Sequence, residues 1–225
     1  MEDLKELYRE DYVNKFNDSY HIQLKRIENI VENIEINPNS IVADFGCGNG
    51  LLCDVLIDKV NQYYGIDFSQ EFIDLFNQRI YNKVGKEKVQ LFAEDIIEFS
   101  KRFPSTFDYA FTLDFSEHIY DEQFIEIYKS IMTTLKPNGK MILHTPNGDY
   151  FIEILKNKGI MTQFPEHVAV RNLNEYQKLF NIIGFSQIKN KYLSHYTWLK
   201  YFHFLSFLPI VGKYFNARLL ITIQK

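Results

Sequence analysis

The sequence predicts an α/β fold built on a doubly wound, largely parallel sheet. Three observations carry that prediction. Short apolar, β-branched runs alternate with amphipathic helical patterns along most of the chain, as successive βα units do. The run Ile41-Val42-Ala43-Asp44-Phe45 feeds Gly46-Cys47-Gly48-Asn49-Gly50, and a helical pattern opens at Leu51-Leu52, which reads as strand, tight turn and helix. A second strand also ends in an acid, Asp67, 23 residues after Asp44. In such folds ligands bind beyond the carboxyl ends of the strands, beside the glycine turn.

At 225 residues and 46% hydrophobic, the chain is sized for one domain with a substantial core. Residues 1–21 are polar and aromatic and are read as an N-terminal cap. Residues 22–36 carry Ile22, Ile27, Ile30 and Ile34 at near-helical spacing, and Asn37-Pro38-Asn39-Ser40 ends that helix. The first strand follows, then a short helix from Leu51. Tyr63 to Asp67 is the second strand. Ser69 is a candidate N-cap for a helix whose apolar face is Phe72, Ile73, Phe76 and Ile80. Val89 to Ala93 is the third strand, and Asp95 is a candidate cap before Ile96. Phe107 to Thr112 is the fourth strand, exiting through Leu113-Asp114-Phe115-Ser116-Glu117-His118. A helix from Asp121 to Leu135 stops at the Lys136-Pro137-Asn138-Gly139 turn. Lys140 to Thr145 is the fifth strand. An insertion, 146–173, precedes a helix that ends at Gly184. Residues 185–192 form the sixth strand and 217–224 the seventh, with an aromatic insertion, 193–216, between them.

Asp44-x-Gly46-x-Gly48-x-Gly50 departs from the G-x-G-x-x-G spacing of dinucleotide binders. It resembles motif I of the class I S-adenosylmethionine-dependent methyltransferases, and Leu135-Lys136-Pro137-Asn138-Gly139 resembles that family's turn before strand five. The similarity spans 22–192 and 217–224. It implies a Rossmann-like sheet of seven strands with the last antiparallel, helices on both faces, and a single methyltransferase domain over 1–225. Both insertions and the N-terminal cap then lie over the active-site edge. The implied cofactor is S-adenosyl-L-methionine, leaving as S-adenosyl-L-homocysteine. Its implied contacts are Asp44, Gly46, Cys47, Gly48, Gly50, Asp67, Phe68, Asp95, Ile96 and Leu113. Asp44 faces an ammonium group, Asp67 the ribose diol, and Asp95 and Ile96 the adenine.

The exit of strand four lacks the Asn/Asp-Pro-Pro-Tyr motif of amino-methylating DNA and glutamine methyltransferases. With a net charge of −4 and no dense Lys/Arg run, nucleic acid is excluded as the expected partner. Ser116-Glu117-His118-Ile119 and Glu166-His167-Val168 resemble small-molecule enzymes of the ubiquinone-type O-methyltransferase and sugar- or glycolipid-modifying groups. An oxygen acceptor must lose a proton, and histidine suits that task. His118 and His167 are the candidate catalytic residues. His144, followed by Thr145-Pro146, is read as packing, and Glu117 and Glu166 as surface or orienting residues. Asp114, Glu166 and His167 show no ligand spacing, so no metal is expected. Cys47 and Cys53 lack a zinc pattern and are read as buried thiols. Two competing readings remain: a nicotinamide-dependent oxidoreductase, and a non-catalytic S-adenosylmethionine-binding protein.

The polar start of the chain and the absence of a span-length apolar run point to the cytoplasm. The 198–211 segment has two readings. It either buries its aromatics in the core or presents them to an apolar acceptor, a membrane surface bearing a lipid-linked acceptor, or a second subunit.

Overall fold

The computed structural model describes residues 20–185 and 188–225. The expected N-terminal cap lies outside the described residues except for the backbone at its very end. The strands are β1 (Ile41–Phe45), β2 (Gln62–Asp67), β3 (Val89–Ala93), β4 (Phe107–Leu113), β5 (Leu135–Pro146), β6 (Lys189–Leu193) and β7 (Arg218–Gln224). The helices are α1 (Tyr20–Val31), α2 (Leu51–Leu56), α3 (Gln70–Ile80), α4 (Ile96–Arg102), α5 (Asp121–Thr134), α6 (Phe151–Asn157) and α7 (Leu173–Ile183). The seven strands form one sheet in the order β3-β2-β1-β4-β5-β7-β6. β1 runs parallel to β2 and β4, β2 runs parallel to β3, and β6 pairs antiparallel with β7. This is the expected seven-stranded mixed sheet with an antiparallel last strand.

The chain packs as two units. The first holds the described residues up to 112, with 130–141 and 225. The Ser69 hydroxyl accepts from Phe72 N at 3.2 Å, so α3 starts where its cap predicts, and it buries Phe72, Ile73, Phe76 and Ile80. Asp95 caps α4 through Oδ1, accepting from Ile97 N and Glu98 N. Aromatic packing fills the space between sheet and α4: Phe45 meets Phe99 edge-on at 5.8 Å and Phe107 at 6.5 Å.

The second unit holds 113–129 and 142–224. Phe124 stacks on Tyr128 with ring centres 3.9 Å apart, and Phe180 meets both edge-on. Asn172 and Glu175 form a reciprocal capping box at the start of α7, and Gly184 ends the helix at φ 111°.

Several boundaries differ from expectation for physical reasons. The turn at Lys136-Pro137-Asn138-Gly139 lies inside β5 rather than before it. Asn138 takes φ 64° there, its N–H donates to Lys225 O, and Lys225 N donates to Gly139 O, so the bend is held within a paired strand. α1 ends at Val31, five residues before the expected boundary, and β6 starts at Lys189 rather than 185. The 146–173 insertion contains an unforeseen helix, α6. The 193–216 insertion contains two 3-10 helices, Trp198–Phe207 and Gly212–Phe215. No residue of the longer one is buried, so the core reading of that segment fails.

Candidate functional site

At the carboxyl ends of β1 and β2 the chain builds a closed hydrogen-bonded turn. Gly46, Gly48 and Gly50 all lie in the left-handed region, at φ 74°, 50° and 82°. L-residues with side chains avoid that region, which is why the turn needs glycine at alternate positions. Gly46 N and Cys47 N both donate to Ile66 O, at 2.8 and 3.0 Å. Gly48 N donates to Asp67 Oδ2 at 3.0 Å, and Asp67 Oδ1 accepts from Ser69 N at 3.0 Å. Asp67 therefore ties the turn after β1 to the start of α3, in addition to whatever it offers a ligand.

The glycines divide by surroundings. A Cβ on Gly48 would meet nothing within 4 Å, whereas one on Gly50 would fall 2.3 Å from the Phe76 ring. Gly48 faces open space and Gly50 faces the core. Phe68 is an exposed aromatic beside Asp67. Glu94 N donates to Asp67 O at 2.9 Å, bringing exposed Asp95 and buried Ile96 to the same sheet edge. The turn, Asp67, Phe68, Asp95 and Ile96 are thus gathered together. Open space over Gly48, acids for hydroxyl or amine hydrogens, and apolar surfaces for a base are the features a nucleoside-bearing cofactor requires. The expected contact Leu113 ends β4, belongs to the second unit and is half-buried.

Asp44 is buried, and Tyr63 Oη donates to its Oδ2 at 2.5 Å. Burial pushes its carboxyl up to about 7; the Tyr63 hydrogen bond opposes that shift and the Asp67 charge adds to it. Burial also raises Asp67 to about 6, against backbone hydrogen bonds from Ser69, Gly48 and Phe68. Cys47 and Cys53 are buried free thiols, as expected.

An acid held above its unfolded value of 3.8 binds its proton more tightly when folded, so its contribution to stability falls as pH rises from about 4 to about 7. Asp44→Asn removes that contribution and keeps the shape. Wild type should lose stability relative to this variant by up to about 1.4 kcal/mol per pH unit within that window. Urea unfolding of both proteins at several pH values checks this, and parallel profiles would refute it.

The second unit assembles a polar cluster. Asp114, at φ 50°, donates its N–H to His144 O at 2.8 Å. Its Oδ1 accepts from His144 Nδ1 and from Arg218 Nη1, each at 3.1 Å. His144 is buried and held by that bond to Asp114. Tyr176 Oη lies 2.7 Å from Ser116 Oγ and donates to Thr145 Oγ1 at 3.3 Å, and Thr145 in turn donates to Glu117 Oε2 at 3.1 Å.

Glu117 is 1% exposed, which corrects its expected surface role. His118 Nδ1 sits 2.9 Å from the Glu166 carbonyl, so Glu166 orients His118 through its backbone rather than its carboxylate. The His118 and His167 rings meet edge-on at 5.1 Å. Burial first, and His118 second, pull His167 down to about 3, so it is neutral at physiological pH. Arg171 holds these loops in place: it is buried and donates to the carbonyls of Ser116, Ala169 and Ile119 and to Asp121. Ala169 N donates to Glu117 O.

The structure therefore brings together the two histidines read from sequence. Glu117, Thr145, Arg171 and Tyr176 were missed as members of this cluster. Only the adjacency of Glu117 to His118 at a strand exit could have flagged one of them.

A family model described as "Methyltransferase domain" matches residues 20–190. Phosphoethanolamine N-methyltransferase of Plasmodium falciparum is 28% identical over 180 residues, covering 77% of this chain and 64% of the relative. Small RNA 2'-O-methyltransferase of Arabidopsis thaliana is 27% identical over 134 residues, covering 56% of this chain and 14% of the relative. The chain thus spans less than two thirds of either relative. The crystal structure of a SAM dependent methyltransferase from Archaeoglobus fulgidus superposes with a TM-score of 0.71 at 17% identity, covering 97% of this chain and all of that one.

Proposed function

The chain belongs to the methyltransferase-domain family, and on that premise we propose that it transfers a methyl group from S-adenosyl-L-methionine to an oxygen of a small-molecule acceptor. The acceptor classes it suits are sugars, glycolipids and phenol- or quinone-like metabolites. The observation that carries the cofactor assignment is the left-handed glycine turn, clamped to Asp67 and open over Gly48. The sulfonium cofactor supplies an already activated methyl group, so the protein's task is mainly orientation.

In this reading Asp44 stands near the ammonium group of the methionine portion. A cation there offsets the cost of ionising a buried carboxyl that sits at about 7. Gly46, Cys47, Gly48 and Gly50 form the floor, Asp67 accepts from the ribose hydroxyls, and Phe68, Asp95 and Ile96 bound the adenine end. His118 and His167 serve the acceptor by removing the proton of its oxygen. The orientation of His118 supports this: a carbonyl only accepts, so the ring donates from Nδ1 to Glu166 O.

The acceptor's atom is the finer part of this proposal, since one relative named above is an N-methyltransferase and the other an O-methyltransferase of RNA. The net charge of −4 favours a small molecule over a nucleic acid.

Calorimetry with S-adenosylhomocysteine and with NAD tests the cofactor, and labelled-methyl transfer to metabolite fractions tests activity. Binding of the former alone is expected, and binding of NAD alone would overturn the proposal in favour of an oxidoreductase. Asp67→Ala should weaken cofactor binding by about 1–3 kcal/mol, the range for a hydrogen bond to a charged group. Unchanged affinity in a folded variant removes Asp67 from the site.

A second element of the reading concerns where the acceptor resides. Tyr201, Phe204, Phe207 and Ile210 are strongly exposed, Phe207 at 83% and Ile210 at 91%. No acidic residue follows Glu175, while seven Lys or Arg residues do. That pairing of aromatic and basic groups suits an anionic membrane surface, although no helix among the described residues is long and apolar enough to cross one. Phe204→Ser/Phe207→Ser should abolish sedimentation with anionic liposomes and leave S-adenosylhomocysteine binding intact. A wild type that ignores liposomes and sediments as a dimer would point to a second copy of the chain instead.

A further inference from the structure

We propose that Glu117, His118 and His167 form a binding site for one divalent transition-metal cation of the zinc or manganese class. One ligand atom from each of the three side chains lies within 4.8 Å of the others. Two ligand atoms on one zinc stand no more than about 4 Å apart, given metal–ligand distances near 2 Å. Small side-chain rotations therefore close the set. Two imidazoles and one carboxylate suit zinc, manganese or iron(II), and three protein ligands leave coordination positions open, as in catalytic rather than structural centres.

Three further observations point to a cation there. Glu117 is almost wholly buried, and among the described residues the structure gives it no Lys or Arg partner. A buried carboxylate outside any ion pair gains from a cation that joins it directly. His167 Nδ1 is buried without a hydrogen-bond partner, which leaves a costly unsatisfied polar atom in the apo chain. The surroundings have the form of outer-sphere support. His118 donates its Nδ1–H to the Glu166 carbonyl, which fixes the ring and directs Nε2 as the ligand atom, and Thr145 donates to Glu117 Oε2. Arg171 and Ala169 N join the loop of Glu117 and His118 to that of His167, so the ligand set is held by the fold.

Cation binding at these residues does not depend on the function proposed above. Only its last consequence rests on that reading: a cation with an open position would hold the acceptor's oxygen and lower its pKa, its proton would pass to solvent water, and the two histidines would act through the metal rather than as free bases.

The test uses the untagged full chain, stripped with chelator, dialysed and titrated with Zn²⁺, Mn²⁺ and Co²⁺. Calorimetry and elemental analysis should give one ion per chain, and the Co²⁺ form should show visible absorption. Glu117→Gln and His167→Gln should each weaken Zn²⁺ affinity at least tenfold and shift or erase the Co²⁺ band. Circular dichroism verifies folding, and His118→Asn replaces either variant if it fails to fold. Wild type without stoichiometric binding overturns the site, as does affinity unchanged in both folded glutamine variants. A metal-free chain that transfers methyl at the full rate overturns the catalytic consequence. S-adenosylhomocysteine affinity of the stripped chain is read separately: its absence would sink the methyltransferase reading, and its presence without metal would leave that reading standing whatever the titration gives.

Discussion

Gly50→Ala should cost the protein about 3–5 kcal/mol of stability, while Gly48→Ala costs only about 1–2 kcal/mol. The two sites share a motif and a left-handed backbone, so each substitution carries the strain of a side chain at positive φ. They part at the next step. The Cβ of Gly50 would fall 2.3 Å from the Phe76 ring. Phe76 is fully buried, packs edge-on against Tyr63 at 6.2 Å and would also lie 3.0 Å from a Cβ on Gly65, so the ring has nowhere to go. Overpacking then adds to the strain. Gly48 opens onto empty space, so its methyl group is felt by a ligand rather than by the core. Denaturant unfolding reads the first effect and S-adenosylhomocysteine titration the second. Equal losses of stability at the two positions would show that Phe76 yields and that the division is wrong.

Arg171→Ala should cost about 3–5 kcal/mol, lowering the melting temperature by roughly 6–20 °C for a chain of this size. The guanidinium is buried, with Nη1 2.7 Å from Ser116 O and Nη2 2.7 Å from Ile119 O. Removing it leaves those carbonyls without their donor and frees the loop of Glu117 and His118 from that of His167. Lysine at this position should recover only part of the loss, because one ammonium group cannot span the carbonyls that a planar fork reaches. The partner Asp121 is largely exposed, so its ion pair contributes little, and Asp121→Asn serves as the mild comparison. If Arg171→Ala falls within 1 kcal/mol of wild type, the loops are held by other contacts.

The sheet was legible in the sequence because its signals are local. Caps at Ser69 and Asp95, the stop at Gly184 and the alternating apolar runs each act within one turn or strand, and each places its element where expected. Boundaries slipped where a distant partner decides them. Asn138 and Gly139 carry turn chemistry, yet pairing with the chain end at Lys225 keeps them in β5. The glycine turn was legible as a tight turn between strand and helix, but its division of labour was not: that Gly50 faces Phe76 depends on how α3 packs. The polar cluster around His118 was half legible. His118 and His167 stood out as titratable groups, whereas Glu117 read as a surface acid because nothing nearby in sequence tells of Thr145 or Arg171.

The carboxylate of Asp67 is already committed on both oxygens, to Gly48 N and Ser69 N. The turn's shape is thus settled when the chain folds and is not left for a ligand to impose. Under the function proposed above, a cofactor at this edge would meet a preorganised receptor and spend little of its intrinsic affinity in ordering the loop. A turn held from both sides by one carboxylate presents a fixed backbone contour, set before any ligand is present.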